Sequence, residues 1–168
     1  ASNQLQASIG ASVFSMKDYK ETLEEVYKNN FGDDFADVAD VMKTVKENIE
    51  DLNKTDLQKL TEGAITLRDT FDMDINETIR GVNGLIKNMG VDATTAFDLV
   101  AKGAQNGLNK TDELGDNLAE YSQIWGQAGF SAEEMFAILD NGLEAGAYNL
   151  DKVNDFVKEF TISLSDGR

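Results

Sequence analysis

At 168 residues the chain has one domain's worth of length, enough to bury a core. Its 41% hydrophobic and 27% charged residues are those of a globular rather than a disordered protein. With 31 acids against 15 bases the formal charge is −16. That sign argues against nucleic acid, whose binding rests on Lys and Arg displacing counterions, and against anionic membrane surfaces; a basic partner suits it better. There is no histidine, no cysteine and no proline. Thiolate chemistry and disulfides are therefore excluded, and the commonest general base and metal ligand is missing. Absence of proline suits a chain that is helical almost throughout. No apolar run approaches the ~18 residues a membrane span needs. With no signal peptide at its start and an abrupt end in "SLSDGR", the sequence reads as an excised piece of something longer.

In chain order, helix starts are announced by a short side-chain acceptor three residues before an acid or amide: Ser15 and Asp18, Asp34 and Asp37, Thr55 and Gln58, Asp74 and Glu77, Ser131 and Glu134. The first of each pair accepts from the free amides of the opening turn, and the second reaches back to the cap's own amide. Asp92, then Thr111 or Asp112, then Asn149 or Asp151, are simple caps. These signals predict helices at 15–29, 34–52, 56–70, 74–88, 92–106, 112–127, 131–146 and 151–162. Short turns between them carry Gly32, Gly90, Gly107 and Gly129. A strand is conceivable only at "TISL", 161–164.

The apolar residues repeat. Ile75, Ile79, Val82, Leu85 and Ile86 line one face of a helix, and Leu114, Leu118, Tyr121, Ile124 and Trp125 restate it 39 residues later. Val153, Val157 and Phe160 begin a third copy; Phe35, Ala39, Met42, Val45 and Ile49 form a weaker one, offset by 40. "GVDATTAFDLVAKGAQNG" at 90–107 is echoed by "GFSAEEMFAILDNGLEAG" at 129–146, with Phe97 matching Phe136. A period of this size marks helix pairs that cannot bury their apolar faces alone. The expected fold is all-α, stacked helical hairpins in α-solenoid-like repeats of about 39 residues. An N-terminal helical extension at 1–33 precedes a repeat domain at 34–168, with pairs near 34–70, 74–106 and 112–146 and a truncated fourth from 151. Gly103 and Gly142 fall inside helices, where glycine costs about 0.5–1 kcal/mol relative to alanine, so close approach of a neighbour is expected at both. Gly107 and Gly146 read as left-handed helix stops. Phe97, Phe136, Tyr121 and Phe160 read as core; Trp125 and Phe130 flank a turn, where a partly exposed contact is the alternative.

Candidate chemistry is thin. "DMDINETIRGVN", Asp72 to Asn83, opens like a calcium loop but has Glu77 where glycine must bend it and Asn83 where a bidentate glutamate must close it. Adjacent carboxylates, Glu133 with Glu134 and Asp33 with Asp34, point about 100° apart on a helix and do not converge. Lys102, Lys110 and Lys152 are scattered, and no phosphate loop, nucleophile elbow or zinc spacing occurs. The expectation is no catalytic residue, no cofactor and no metal.

The segments "LRDTFDMDINETIR" (67–80), "AFDLVAKGAQNGLN" (96–109), "EYSQIWGQAGFSAEEMF" (120–136) and "AGAYNLDKVNDFVKEF" (145–160) together resemble the tail tape measure protein of long-tailed bacteriophages and their prophages. The resemblance runs over roughly residues 30–168 and rests on the order of these segments. It implies a non-enzymatic helical chain that sets tail length, lies inside the tail tube and leaves ahead of the DNA. The implied partners are tail tube protein, tail assembly chaperones, tail tip or baseplate proteins and further copies of itself. The implied places are the virion tail and, during assembly, the host cytoplasm. Some members carry a cell-wall hydrolase elsewhere, but no such motif stands here. A ruler should be extended, whereas this sequence reads as compact repeats. The alternative is a freestanding acidic helical-repeat module that binds a basic protein.

Overall fold

Carboxylate and amide caps start most of the helices. The computed structural model describes residues 16–109, 112–144, 150–155 and 158. Seven helices follow one another: α1 (Met16–Lys28), α2 (Phe35–Asn48), α3 (Lys54–Phe71), α4 (Ile75–Met89), α5 (Ala93–Gln105), α6 (Leu114–Gln127) and α7 (Ala132–Glu144). A helical stretch at 150–155 succeeds them, and no strand occurs among the described residues. The fold is all-α, as expected. Asp34 accepts from Asp37 N at 2.8 Å, Asp74 from Glu77 N at 3.0 Å and Asp92 from Thr95 N at 2.7 Å. Ser131 and Glu134 form the full reciprocal box, at 2.9 and 3.0 Å. Ser15, Thr111, Asn149, Gly146, Phe160 and the 161–164 segment lie outside the described residues.

Three local expectations are corrected. Helix α3 starts two residues early because Asn53, a better cap than Thr55, accepts from Asp56 N at 2.7 Å. Helix α2 stops at Asn48, not 52: Ile49 is extended and Asp51 left-handed, while Ile49 and Leu52 stay buried and pin the turn from the loop. At α6, Asp112 is left-handed, and Leu114 N is taken by Asn109 Oδ1 at 3.2 Å instead. The four turn glycines all adopt positive φ, between 71° and 90°, the region open to a residue without Cβ. Gly107 ends α5 as expected, with Leu108 N–H reaching back to the Gly103 carbonyl at 2.9 Å.

The chain divides into two compact units, the first ending at Ile79 and the second beginning at Arg80, within α4. In the first unit α1 packs on both α2 and α3, and α2 packs on α3. Its core holds Tyr19 and Val26 from α1, Val38, Met42 and Val45 from α2, and Leu57, Leu60 and Ile65 from α3. Helices α1 and α3 run parallel: Lys54 pairs with Glu21 at 2.6 Å and Asn29 with Glu62 at 2.9 Å, both 33 residues apart. Phe35, expected on the apolar face of α2, is 45% exposed. It is the first residue of its helix, and its ring stands edge-on to Tyr27 at 5.7 Å rather than in the core.

Arg68 ties the end of α3 to the start of α2 by a bidentate bridge to Asp37, at 2.8 and 2.9 Å. The Arg68 hydrogen bonds hold the Asp37 carboxyl below the usual carboxylate range. A carboxyl whose folded pKa is depressed adds stability above its unfolded pKa, and that stability is lost as pH falls through the depressed value. We expect Asp37→Asn to cost about 1.5–3 kcal/mol at neutral pH, the scale of hydrogen bonds to charged groups. The gap from wild type should begin to narrow as pH falls below about 4, the unfolded carboxyl's pKa, and close only beneath the depressed folded value. Urea midpoints of both proteins across pH check it; a gap that persists at low pH contradicts the assignment.

In the second unit the helices recur at the repeat period: α6 starts one period after α4, and α7 one period after α5. Helices α4 and α6 lie parallel at close range. A Cβ on Gly81 would stand 2.9 Å from the Gly115 carbonyl oxygen, and one on Gly84 would stand 2.8 Å from Ser122 Oγ. A Cβ on Gly126 would strike the main-chain carbonyl of Asn88. Buried Val82, Leu85, Leu114 and Leu118 belong to this unit's apolar core, together with Val100, Met135 and Leu139. The expected close approaches at Gly103 and Gly142 are both present: Phe136 and Leu108 crowd the first, Val153 the second. Gly126→Ala makes a sharp test of the sign. In an isolated helix the change is favourable by about 0.5–1 kcal/mol. Here we expect a net loss of about 1–3 kcal/mol, because carbonyl and helix backbone cannot yield as a side chain can. A urea midpoint at or above wild type would refute the close contact.

Candidate functional site

The acids weighed as ligands have structural work. Asp72 is the left-handed cap of α3, Asp34 and Asp74 are the N-caps of α2 and α4, and Glu134 belongs to the capping box of α7. Among the described residues no group of three or more carboxylates is placed to hold a metal ion, and no helix is long and apolar enough to cross a membrane. Lys110 lies outside the described residues.

A cleft of about 270 Å³ lies between α5 and α7. Its floor is Gly103, Leu108 and Phe136, and Glu133, Asp140 and Lys102 stand around it. The buried floor follows from the repeat: α7 lays Phe136 on Gly103, where no side chain intervenes. Phe97 and Phe136 are both buried, as their matched positions imply. Trp125 is buried, edge-on to Phe130 at 5.0 Å, whereas Phe130 itself is half-buried, so the partly exposed alternative holds for Phe130 alone.

Sequence reasoning missed a polar seam. Along α6, Asn117, Tyr121 and Trp125 face the helical stretch 150–155. Trp125 Nε1 donates to Asn154 Oδ1 at 2.5 Å; Asn154 Nδ2 donates to the Leu150 carbonyl at 2.9 Å and also to Asn117 Oδ1. Asn117 Nδ2 in turn donates to Asp151 at 2.8 Å. At the edge, the Tyr121 hydroxyl reaches Asp155 at 3.5 Å. Burial, then the nearby Glu120 and Asp155 carboxylates, push that hydroxyl's pKa up to about 12, so it remains a donor across the ordinary pH range. The available signal was the repeat itself. Thr78, one repeat period before Asn117, is likewise a buried polar group on an apolar face.

Helices of matched length laid side by side, most with capped N-termini, make up a helix-stacking module. The family described as phage-related minor tail protein matches residues 25–167, well over half of the chain. This chain belongs to that family, and so to the proteins of the phage tail. No curated protein and no solved structure matches it.

Proposed function

We propose that this chain is a segment of a tape measure protein, which sets tail length and occupies the tail tube during assembly. The observation that carries the reading is the regular spacing of successive helix pairs in a chain of the phage tail family. Length is countable only in a polymer of near-equal units. The segment acts without catalysis, and its partners are tail tube protein, assembly chaperones, tip or baseplate proteins and other copies of itself.

As one continuous helix, a repeat of about 39 residues spans roughly 58 Å at about 1.5 Å per residue. Stacked as a hairpin, it adds at most two helix spacings, about 16–20 Å. Direct contact between α4 and α6 reduces that to a single spacing, about 8–10 Å. The free units are compact, and assembly in a narrow tube opens them. An in-frame deletion of residues 112–150 from the full gene, with tails measured by electron microscopy, tests this. Shortening by roughly 58 Å, the rise of the missing helix, is the expected result. Shortening by only about 10 Å, one helix spacing, means that the hairpins stay folded in the tail. Unchanged tails on a fully assembling mutant would sink the ruler. They would favour the second reading, an acidic module binding a basic protein, which the carboxylates around the α5–α7 cleft support.

A further inference from the structure

Asparagine followed by glycine is open to attack by its own backbone, and the chain has three such pairs: Asn83–Gly84, Asn106–Gly107 and Asn141–Gly142. Glycine has no Cβ to keep its main-chain nitrogen away from the preceding side chain. That nitrogen can close a succinimide ring on the asparagine Cγ wherever the backbone is free to bring the two together.

The fold treats the three pairs differently. Asn83 lies in the middle of α4, and Gly84 is pressed on α6, where a Cβ would stand 2.8 Å from Ser122 Oγ. Asn141 lies inside α7, with Gly142 against Val153. At both, helical geometry holds the asparagine ψ at about −42° and engages the glycine N–H with the carbonyl four residues before it. Asn106 instead stands just past the end of α5. It is exposed, its ψ is 1°, and Gly107 turns left-handed with a φ of 89°. The turn is held by the Gly107 N–H on the Ala104 carbonyl at 3.1 Å and the Leu108 N–H on that of Gly103 at 2.9 Å. Rotating Asn106 about ψ asks only this stop to open, whereas the same rotation at Asn83 disrupts a helix interior and its seat on α6. Helix ends open at lower cost than helix middles.

We propose that Asn106 is a self-modifying site, converted to aspartate and isoaspartate ahead of Asn83 and Asn141. The Gly107 nitrogen bonds to Asn106 Cγ, the Cγ–Nδ2 bond breaks, and the proton from the glycine N–H leaves with the amide nitrogen as ammonia. One water molecule then opens the succinimide. Opening at the side-chain carbonyl gives aspartate; opening at the main-chain carbonyl gives isoaspartate. The new carboxylate falls at the C-terminal end of α5, where the helix dipole disfavours negative charge, and on the rim of the cleft that Glu133 and Asp140 share. The isoaspartate form also runs the main chain through Cβ, immediately before the stop that seats Leu108 on Gly103. Ageing of the protein therefore loosens the end of α5, whichever role the chain plays in the tail.

Incubating the whole chain at mildly alkaline pH, with peptide mapping by mass spectrometry over time, tests this. Asn106 should convert at least about tenfold faster than Asn83 or Asn141, because its stop opens more readily than a helix interior. In guanidinium the three rates should converge to within about threefold, since unfolding removes what separates them. Asn83 or Asn141 reacting as fast as Asn106 in the folded chain would overturn the proposal, as would an inert Asn106. A preference for Asn106 that survives unfolding would also overturn it, because the cause would then be local sequence and not the α5 stop. Asn106→Asp, which installs the new charge alone, should lower the urea midpoint; a midpoint at or above wild type would refute the loosening.

Discussion

Replacing Trp125 with alanine will destabilise the second unit by about 3–5 kcal/mol, the range for large aromatic truncations in a core. Two losses combine. The ring is fully buried and edge-on to Phe130, so a cavity opens beside α6. Its N–H is also the donor to Asn154 Oδ1, and a buried acceptor stripped of its donor costs a further share of that range. Trp125→Phe keeps an aromatic ring but loses the donor and part of the indole's volume, so a smaller cost, about 1–3 kcal/mol, is expected. Helical circular dichroism in urea measures both. A loss below about 1 kcal/mol for the alanine variant would mean that α6 does not pack as described.

Phe97→Ala and Phe136→Ala are expected in the same range, about 3–5 kcal/mol, but not equally. Both rings are buried, and they stand at matched positions of the repeat. Phe136, however, floors the α5–α7 cleft, so its removal enlarges a space that water already reaches. A cavity that fills with solvent is less costly than a sealed one, which puts Phe136 at the low end and Phe97 at the high end. Urea midpoints of the two variants in parallel decide the order; Phe136 as the costlier site would mean that the cleft is closed in solution.

Much of this architecture is written plainly in the residues, and the reasons are local. Asp34, Asp74, Asp92 and Ser131 mark helix starts because a free amide in the first turn needs an acceptor, whatever the rest of the protein does. The glycines inside helices pointed to close neighbours, and Phe136 and Val153 fill those places. What escaped was decided at a distance. Phe35 fits the apolar stripe of α2 by spacing, yet its place at the helix start leaves it outside the core beside Tyr27. Ile49 and Leu52 continue the helical apolar pattern while the backbone has already turned. Asn117 and Asn154 escaped because a polar residue buried against another polar residue leaves no trace in hydrophobic periodicity, and Asp151, a cap by its sequence, lies inside the helical stretch and accepts from Asn117. Membership of the tail family agrees with what the 67–160 segments resembled, while the measuring role rests on that resemblance and awaits the deletion.

The glycine contact between α4 and α6 also bears on how this protein answers force. Where side chains separate two helices, they can reorient and let the helices slide while contact is kept. At Gly81 and Gly126 the nearest neighbour is main chain, which cannot reorient. The joint is therefore brittle: it holds until it breaks, and it does not creep. A chain pulled from its ends would lengthen in discrete jumps, each a helix pair letting go, with the backbone extending by as much as ~3.3–3.6 Å for every residue released. Between jumps its length would stay fixed.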